Sequence, residues 1–210
     1  GHALGGARLG LLVGLLAFLV AATGQWDKAM VTVYLVGVSA LLAALIGVPV
    51  GILAAERERL WGFVRVVIDT LQTLPSFVYL MPAVMLFRVG DFTAMLAVIA
   101  YSVAPAIRYT ALGIQKVDPR VVDAGRAMGC TDWQLLTRIK LKLALPEIML
   151  GINQTIMFAL SMLVITALVG TRDLGQEVYI ALTKADVGRG LVAGLAVAFI
   201  AIIADRLIAA

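Results

Sequence analysis

Asp118-Pro119-Arg120-Val121-Val122-Asp123-Ala124-Gly125-Arg126-Ala127-Met128-Gly129-Cys130-Thr131-Asp132-Trp133-Gln134, continuing to Leu141 and Pro146, is the stretch that decides the fold. Asp118 can cap free N–H groups, and Pro119 at the first helical position gives up a donor that has no partner there. The spacing predicts a helix through Val121, Val122 and Ala124, closed at Gly129, a residue suited to a left-handed C-terminal turn. Thr131-x-x-Gln134 fits a capping box and predicts a second helix through Trp133, Leu135, Leu136 and Ile139 to about Leu141. Pro146 is then expected to open the next element. Small residues at the turn (Ala124, Gly125, Ala127, Gly129) predict a compact knob. Two readings stand: an amphipathic unit lying on lipid headgroups, or a docking element for a partner.

Outward from this stretch the chain is apolar. Residues of the AVILMFWYC set make up 62% of the 210, mean hydropathy is +1.01, and 14% are charged. That is roughly 130 apolar residues, enough for five or six spans of about 20 and little else. A soluble globular enzyme, a nucleic-acid reader and a disordered chain are excluded. Six stretches are read as spans: Leu9–Ala22, full-length only if Leu4 to Arg8 belongs to it, then about Ala29–Ala55, Val66–Phe87, Phe92–Ile114, Ile148–Val169 and Leu191–Ile208. Each must be helical, because lipid offers no partner to open backbone groups. Pro75, Pro82 and Pro105 interrupt the pattern, either as packing kinks or as marks of a cavity lining.

The basic residues divide by side. Arg8, Arg57, Arg59, Arg65, Lys116, Arg120, Arg126, Arg138, Lys140, Lys142 and Arg206 fall on one side and Lys28, Arg88, Arg172, Lys184 and Arg189 on the other; Arg108, inside a span, completes the 17. The richer side is expected to be cytoplasmic, with both termini and residues 116–146. The net charge of +4 is thus a topology signal. Cys130 and His2 are single, so no disulfide, cysteine–metal cluster or histidine chemistry is expected, and no metal site. The chain opens Gly-His, as a truncated or replaced N-terminus would.

The knob carries a resemblance. Permeases of bacterial ABC importers have a cytoplasmic pattern of Glu-Ala-Ala, three residues, Gly, nine residues, Ile-x-Leu-Pro. Here Asp123-Ala124-Gly125, three residues, Gly129, nine residues and Ile139-Lys140-Leu141 are similar to it, with Lys142 in place of proline. Asp keeps the charge and Gly the small volume. Thr73-Leu74-Pro75-Ser76-Phe77-Val78-Tyr79-Leu80-Met81-Pro82 and on to Phe87 resembles the quaternary-amine importers of glycine betaine, proline betaine, choline and carnitine. So do Asn153-Gln154-Thr155, Ala159-Leu160-Ser161-Met162, Leu174-Gly175-Gln176 and Asp205-Arg206-Leu207, together covering about residues 30 to 208.

The resemblance implies an all-α polytopic membrane protein like the type I importer permeases. It would have five to six transmembrane helices in one domain (1–210) and a cytoplasmic coupling loop (116–146) between the fourth and fifth. It implies a bacterial cytoplasmic (inner) membrane location, a cytoplasmic ATPase, an extracytoplasmic binding protein facing Gln176–Asp186, and a second permease copy in the bilayer. Asp123, Ala124, Gly125, Ala127, Met128, Gly129, Ile139 and Leu141 would couple to the ATPase. The chain has no G-x-x-x-x-G-K-[ST] loop, so ATP and Mg are expected on that ATPase and no cofactor on this chain. No covalent chemistry and no nucleic-acid partner are expected.

Polar groups in spans are candidates for a substrate path, because facing lipid is costly. Thr73, Ser76, Tyr79, Asn153, Met157 and Ser161 are taken as such, the last three on one face at i, i+4, i+8 spacing. Interhelical hydrogen bonding is the other reading of the polar ones. A quaternary ammonium has no N–H to donate and is held by aromatic faces; Phe77, Tyr79, Tyr101 and Phe158 are available, but no spacing makes a box of them. The resemblance places the high-affinity cage on the binding protein and leaves the permease a weak, transient path. Asp69 and Arg108 are expected to pair as a structural clamp. Gly151, Gly170, Gly190 and Gly194 suit close helix approach, with Gly190-x-x-x-Gly194 as a packing motif. Gly129→Asp is expected to abolish ATP-driven uptake without preventing insertion. Other cargo, such as trimethylamine oxide or an amino acid, and an ion-gradient-driven secondary transporter are the alternatives.

Overall fold

The computed structural model describes residues 2–208, and the apolar stretches fold as helices, with no strand among the described residues. In chain order they are α1 (His2–Ala22), α2 (Trp26–Ala55), α3 (Glu58–Thr73), α4 (Phe77–Phe87), α5 (Asp91–Gln115), α6 (Pro119–Ala127), α7 (Asp132–Gln134), α8 (Leu141–Thr166), α9 (Leu174–Lys184) and α10 (Val187–Ile208). A π turn, Leu135–Lys140, joins α7 to α8, and a 3₁₀ turn, Ala167–Val169, closes α8. Four helical stretches are long and apolar enough to cross a membrane: α2, α5, the run Asp132–Val169 and α10; α3 with α4 makes a fifth if the bent pair is one span. In α1 the backbone leaves helical geometry at Gly6 (φ 75°), so Leu4 to Arg8 does not extend a straight span, and the apolar helix Arg8–Ala22 is short.

Two boundaries differ from the sequence expectation. The stretch Val66–Phe87 is not one rod, since α3 and α4 meet at 94°. Pro75 is the cause: the residue before a proline is pushed into extended geometry, and Leu74 sits at φ −69°, ψ 135°. Pro75 also has no N–H to give the carbonyl of Leu71, and the Tyr79 hydroxyl donates to that carbonyl instead. Pro49, Pro82, Pro105 and Pro146, by contrast, lie inside helices that run on.

The second difference is at Pro146, which does not open a helix. Asp132–Val169 is one run of 38 residues, about 57 Å at 1.5 Å per residue, nearly twice a hydrocarbon core of about 30 Å. Its first turns therefore stand outside the core. The carbonyl that Pro146 leaves free belongs to exposed Lys142, where water or headgroups can take it.

Helix α5 is the centre of the bundle, packed between α2 and α8. Close approach comes from glycine. A Cβ on Gly47 would lie 2.6 Å from Ala106 Cβ, and one on Gly51 2.7 Å from the Ile107 carbonyl oxygen. On the other side of α5, a Cβ on Gly113 would lie 2.8 Å from Glu147 Cβ, and one on Gly151 2.7 Å from Tyr109 Cβ. The packing motif is thus Gly47-x-x-x-Gly51. Gly194 faces open space, Gly190 meets only Ala181 Cβ at 3.3 Å, and Gly170 (φ +80°) serves a turn. Two small cores flank this seam, one of Ile68, Ala104 and Ile107 and one of Ile114, Ala144 and Ile148; the main core lies further along the same helices, with Val36, Leu80, Val98, Leu160, Met162, Leu163 and Leu174 buried.

Candidate coupling and translocation elements

The unit between α5 and α8 is built by local signals. Asp118 accepts from the Arg120 N–H at 2.9 Å and Pro119 opens α6. At the far end the Cys130 N–H reaches the Gly125 carbonyl (3.1 Å) and the Gly129 N–H the Arg126 carbonyl (2.9 Å), with Gly129 at φ +84°. That is the pair of hydrogen bonds of a Schellman turn. Thr131 and Gln134 close a reciprocal capping box, at 3.3 Å and 2.9 Å. Gly125 is buried, and a Cβ there would lie 2.7 Å from both Ile139 Cδ1 and Leu135 Cδ2, so α6 rests directly on the π turn. Asp123, Ala124, Ala127 and Met128 stay exposed, while Ile139 and Leu141 are half-buried behind them.

Met128 is 77% exposed and Trp133 72%, on either side of the Gly129 turn. Large apolar side chains presented this openly on a polar projection make it a candidate contact surface. Trp133 was not among the sequence candidates; a tryptophan in the charged stretch between two spans is the signal that could have found it.

The pathway candidates divide into two groups. Thr73, Ser76 and Tyr79 cluster at the α3–α4 break, where the Thr73 hydroxyl donates to the Thr70 carbonyl at 2.9 Å. Tyr79 also packs edge-on to Tyr101 (centroids 5.6 Å apart), which stacks against Phe158 (5.4 Å). Three aromatics from α4, α5 and α8 thus meet, whereas Phe77 stands apart and exposed. Asn153 and Met157 line a cleft of about 270 Å³ between α8 and α10, where Asn153 Nδ2 donates to Asp205 Oδ1 at 2.7 Å. Ser161 is exposed on α8 and donates to the Met157 carbonyl at 2.9 Å. Arg108 Nη2 donates to Asp69 Oδ1, and Arg65 approaches the same carboxylate at 3.8 Å.

On the opposite end of the bundle lies a polar cluster that the sequence did not announce. Buried Glu177 of α9 accepts from Lys28 of α2 and, at 2.6 Å, from Arg189 Nε of α10. The Arg189 hydrogen bond, with Lys28 behind it and against the effect of burial, holds the Glu177 carboxyl below the usual range. Asp173, fully buried, caps α9 by accepting from the Gln176 N–H at 3.0 Å. Burial pushes its carboxyl up, and that backbone bond opposes the rise. The Leu174 N–H donates to the Thr32 hydroxyl at 3.0 Å, so α2 satisfies one free donor of α9's first turn and Asp173 another.

Long apolar helices around a glycine-seamed centre, with a capped two-helix projection continuous with one of them, define a polytopic membrane protein. The fold is shared with a chain of the MetNI methionine ABC transporter in an inward-facing conformation, with a TM-score of 0.77 at 18% identity over 87% of this chain and 94% of that one. It is the type I ABC importer permease fold. The chain belongs to the family of binding-protein-dependent transport system inner membrane components, matched over residues 47–210. It is 44% identical over 209 residues to the trimethylamine N-oxide transport system permease protein TmoV of Pelagibacter ubique, covering 99% of this chain and 29% of that protein. To the glycine betaine transport system permease protein OpuAB of Bacillus subtilis it is 41% identical over 202 residues, 96% of this chain and 71% of that one. The chain thus spans about three-tenths of the TmoV length and less than three-quarters of OpuAB.

Proposed function

We propose that this chain is the membrane-spanning subunit of an ATP-driven importer that brings a quaternary-amine osmolyte or nutrient, such as glycine betaine, choline or carnitine, into the cell. Two copies form the pathway, each engaged by a cytoplasmic ATPase that holds ATP and Mg, and an extracytoplasmic binding protein delivers the cargo at the α9 side. Both termini and the α6–α7 unit are cytoplasmic. The observation that carries the reading is the projection itself: exposed Met128 and Trp133 flank a Schellman turn at the head of a 38-residue helical run that crosses the bundle. A docked subunit that moves this head moves α8 with it as a rigid lever. Asp123, Ala124, Gly125, Ala127, Met128, Gly129, Ile139 and Leu141 are the coupling residues, with Trp133 added. Asp69 and Arg108 clamp α3 to α5.

The cargo is a small methylated amine without an N–H, the chemistry shared by the substrates in the names of both relatives. Trimethylamine N-oxide is the second reading, favoured by the 44% identity to TmoV. Calorimetry of the cognate binding protein against a panel of betaines, choline, carnitine and trimethylamine N-oxide separates them. Docking is tested by titrating the membrane-embedded chain with its ATPase. Trp133→Ala is expected to weaken the complex about tenfold or more, as loss of an aromatic anchor does; unchanged affinity would contradict the docking surface.

A further inference from the structure

The coupling unit is continuous with α5 through residues 116–118 and with α8 through the π turn, but it has no covalent link to α2. Among the described residues one ion pair spans that gap: Lys140 Nζ donates to Glu56 Oε1 at 2.7 Å, across 84 positions of sequence. Glu56 is the C-cap of α2 and Lys140 the last residue of the π turn. The geometry favours the pair on three grounds. A lysine ammonium at the C-terminal end of a helix also meets the negative end of that helix's dipole. Both side chains are partly withdrawn from solvent, at 21% and 34% exposure, so the attraction is less screened than at an open surface. And the pair borders a cavity of about 240 Å³ between the ends of α2 and α5 and the inner side of α6, which Gln115, Asp123 and Arg126 also line. Ile52 and Ala55 of α2 pack beside this cavity against Ile114 and Leu141, and the ion pair adds the one charged link from α2 to the π turn among the described residues.

We infer that Glu56 and Lys140 are positioning residues for coupling, a polar tie that makes α2 follow the coupling unit when the ATPase displaces it. Lys140 occupies the unspecified position of the Ile-x-Leu segment, so the loop pattern assigns it no role. The inference rests on the proposed importer function, in which α6 is the driven element. A tie of this kind acts on how much of each displacement reaches α2. It leaves Met128 and Trp133, which lie outside this cavity's lining, and hence ATPase docking through them, unchanged.

The test uses the full chain with its ATPase and binding protein in proteoliposomes, and reads cargo molecules imported per ATP hydrolysed. Glu56→Lys and Lys140→Glu are each expected to lower that ratio about two- to fivefold, the range for losing a partly exposed pair. The double swap is expected to restore the ratio to within about 1.5-fold of wild type. A pair that serves only folding would lower the amount of protein and leave the ratio unchanged. An unchanged ratio in both single variants, or a swap no better than they are, would overturn the tie. A second readout does not depend on cargo: hydrogen exchange of the membrane-embedded chain, in which Lys140→Gln should speed exchange across α6 relative to α5. If wild-type complexes hydrolyse ATP but import nothing from the panel, the cargo assignment fails, and unchanged exchange in Lys140→Gln would still overturn the tie.

Discussion

Replacing Gly51 by alanine should damage this protein more than one methyl group suggests. The added Cβ would lie 2.7 Å from the Ile107 carbonyl oxygen and 2.7 Å from Thr110 Cβ. A backbone carbonyl in the middle of α5 cannot rotate aside, so α2 and α5 must part by about 0.7 Å to reach an ordinary 3.4 Å contact. That separation loosens the packing of Gly47 against Ala106 a turn away. Overpacking of this kind costs about 1–3 kcal/mol, or roughly 2–4 °C of melting temperature per kcal/mol in a chain of this size. Gly194→Ala is the matched control: the same change, inside a helix, into open space. It should be neutral or slightly stabilising, because alanine is the better helix former by about 0.5–1 kcal/mol. Thermal unfolding of both variants in one detergent measures the difference. Gly51→Ala is expected to melt several degrees below wild type and Gly194→Ala at or above it. Equal melting of the two would refute the assignment of the helix seam to Gly47 and Gly51.

Three further outcomes follow from the geometry. Gly129→Asp meets no atom within 4 Å of the new Cβ but holds a left-handed backbone at φ +84°, a strain of about 1–2 kcal/mol; membrane insertion measured by fractionation should be normal while ATP-driven uptake is lost, and wild-type uptake would sink the coupling role of the turn. Tyr79→Phe keeps the ring contact with Tyr101 but strips the Leu71 carbonyl of its donor, so unfolding should come about 1–3 kcal/mol easier, with hydrogen exchange rising at the α3–α4 break; unchanged exchange would contradict the hydroxyl's role. Glu177 titrates below its unfolded value, so its stabilising effect is full above about pH 4.3 and lost as pH falls through the lower folded value. Asp173, pushed up by burial, acts in the opposite sense, so the comparison belongs in an Asp173→Asn background: there α9 should loosen on acidification, measured by exchange, and Glu177→Gln should abolish that dependence.

Local signals were legible in the sequence because the groups that satisfy one another are close along the chain. Asp118 with Arg120, Thr131 with Gln134, and the Gly129 turn need only a few residues to be recognised. The pairing of Asp69 with Arg108 was legible for another reason: opposite charges inside apolar stretches have few alternatives to each other. The rest depended on neighbours. Gly47-x-x-x-Gly51 and Gly190-x-x-x-Gly194 are the same pattern, and only the presence of α5 against the first distinguishes them. Of the prolines placed in or beside spans, Pro75 alone breaks its helix, and there a tyrosine hydroxyl takes up the freed carbonyl. Glu177 meets Lys28 across 149 positions, a pairing that no window along the chain contains. The unit's continuity with α8 was missed because Pro146 reads as a helix start, although its loss of an N–H falls where solvent can compensate.

Uptake by proteoliposomes holding this chain, its ATPase and its binding protein, with ATP inside the vesicles as the variable, decides whether the chain works as part of an ATP-driven importer. Import of a methylated amine is expected to require internal ATP and to survive collapse of ion gradients. Import that proceeds without ATP on an ion gradient alone would contradict it.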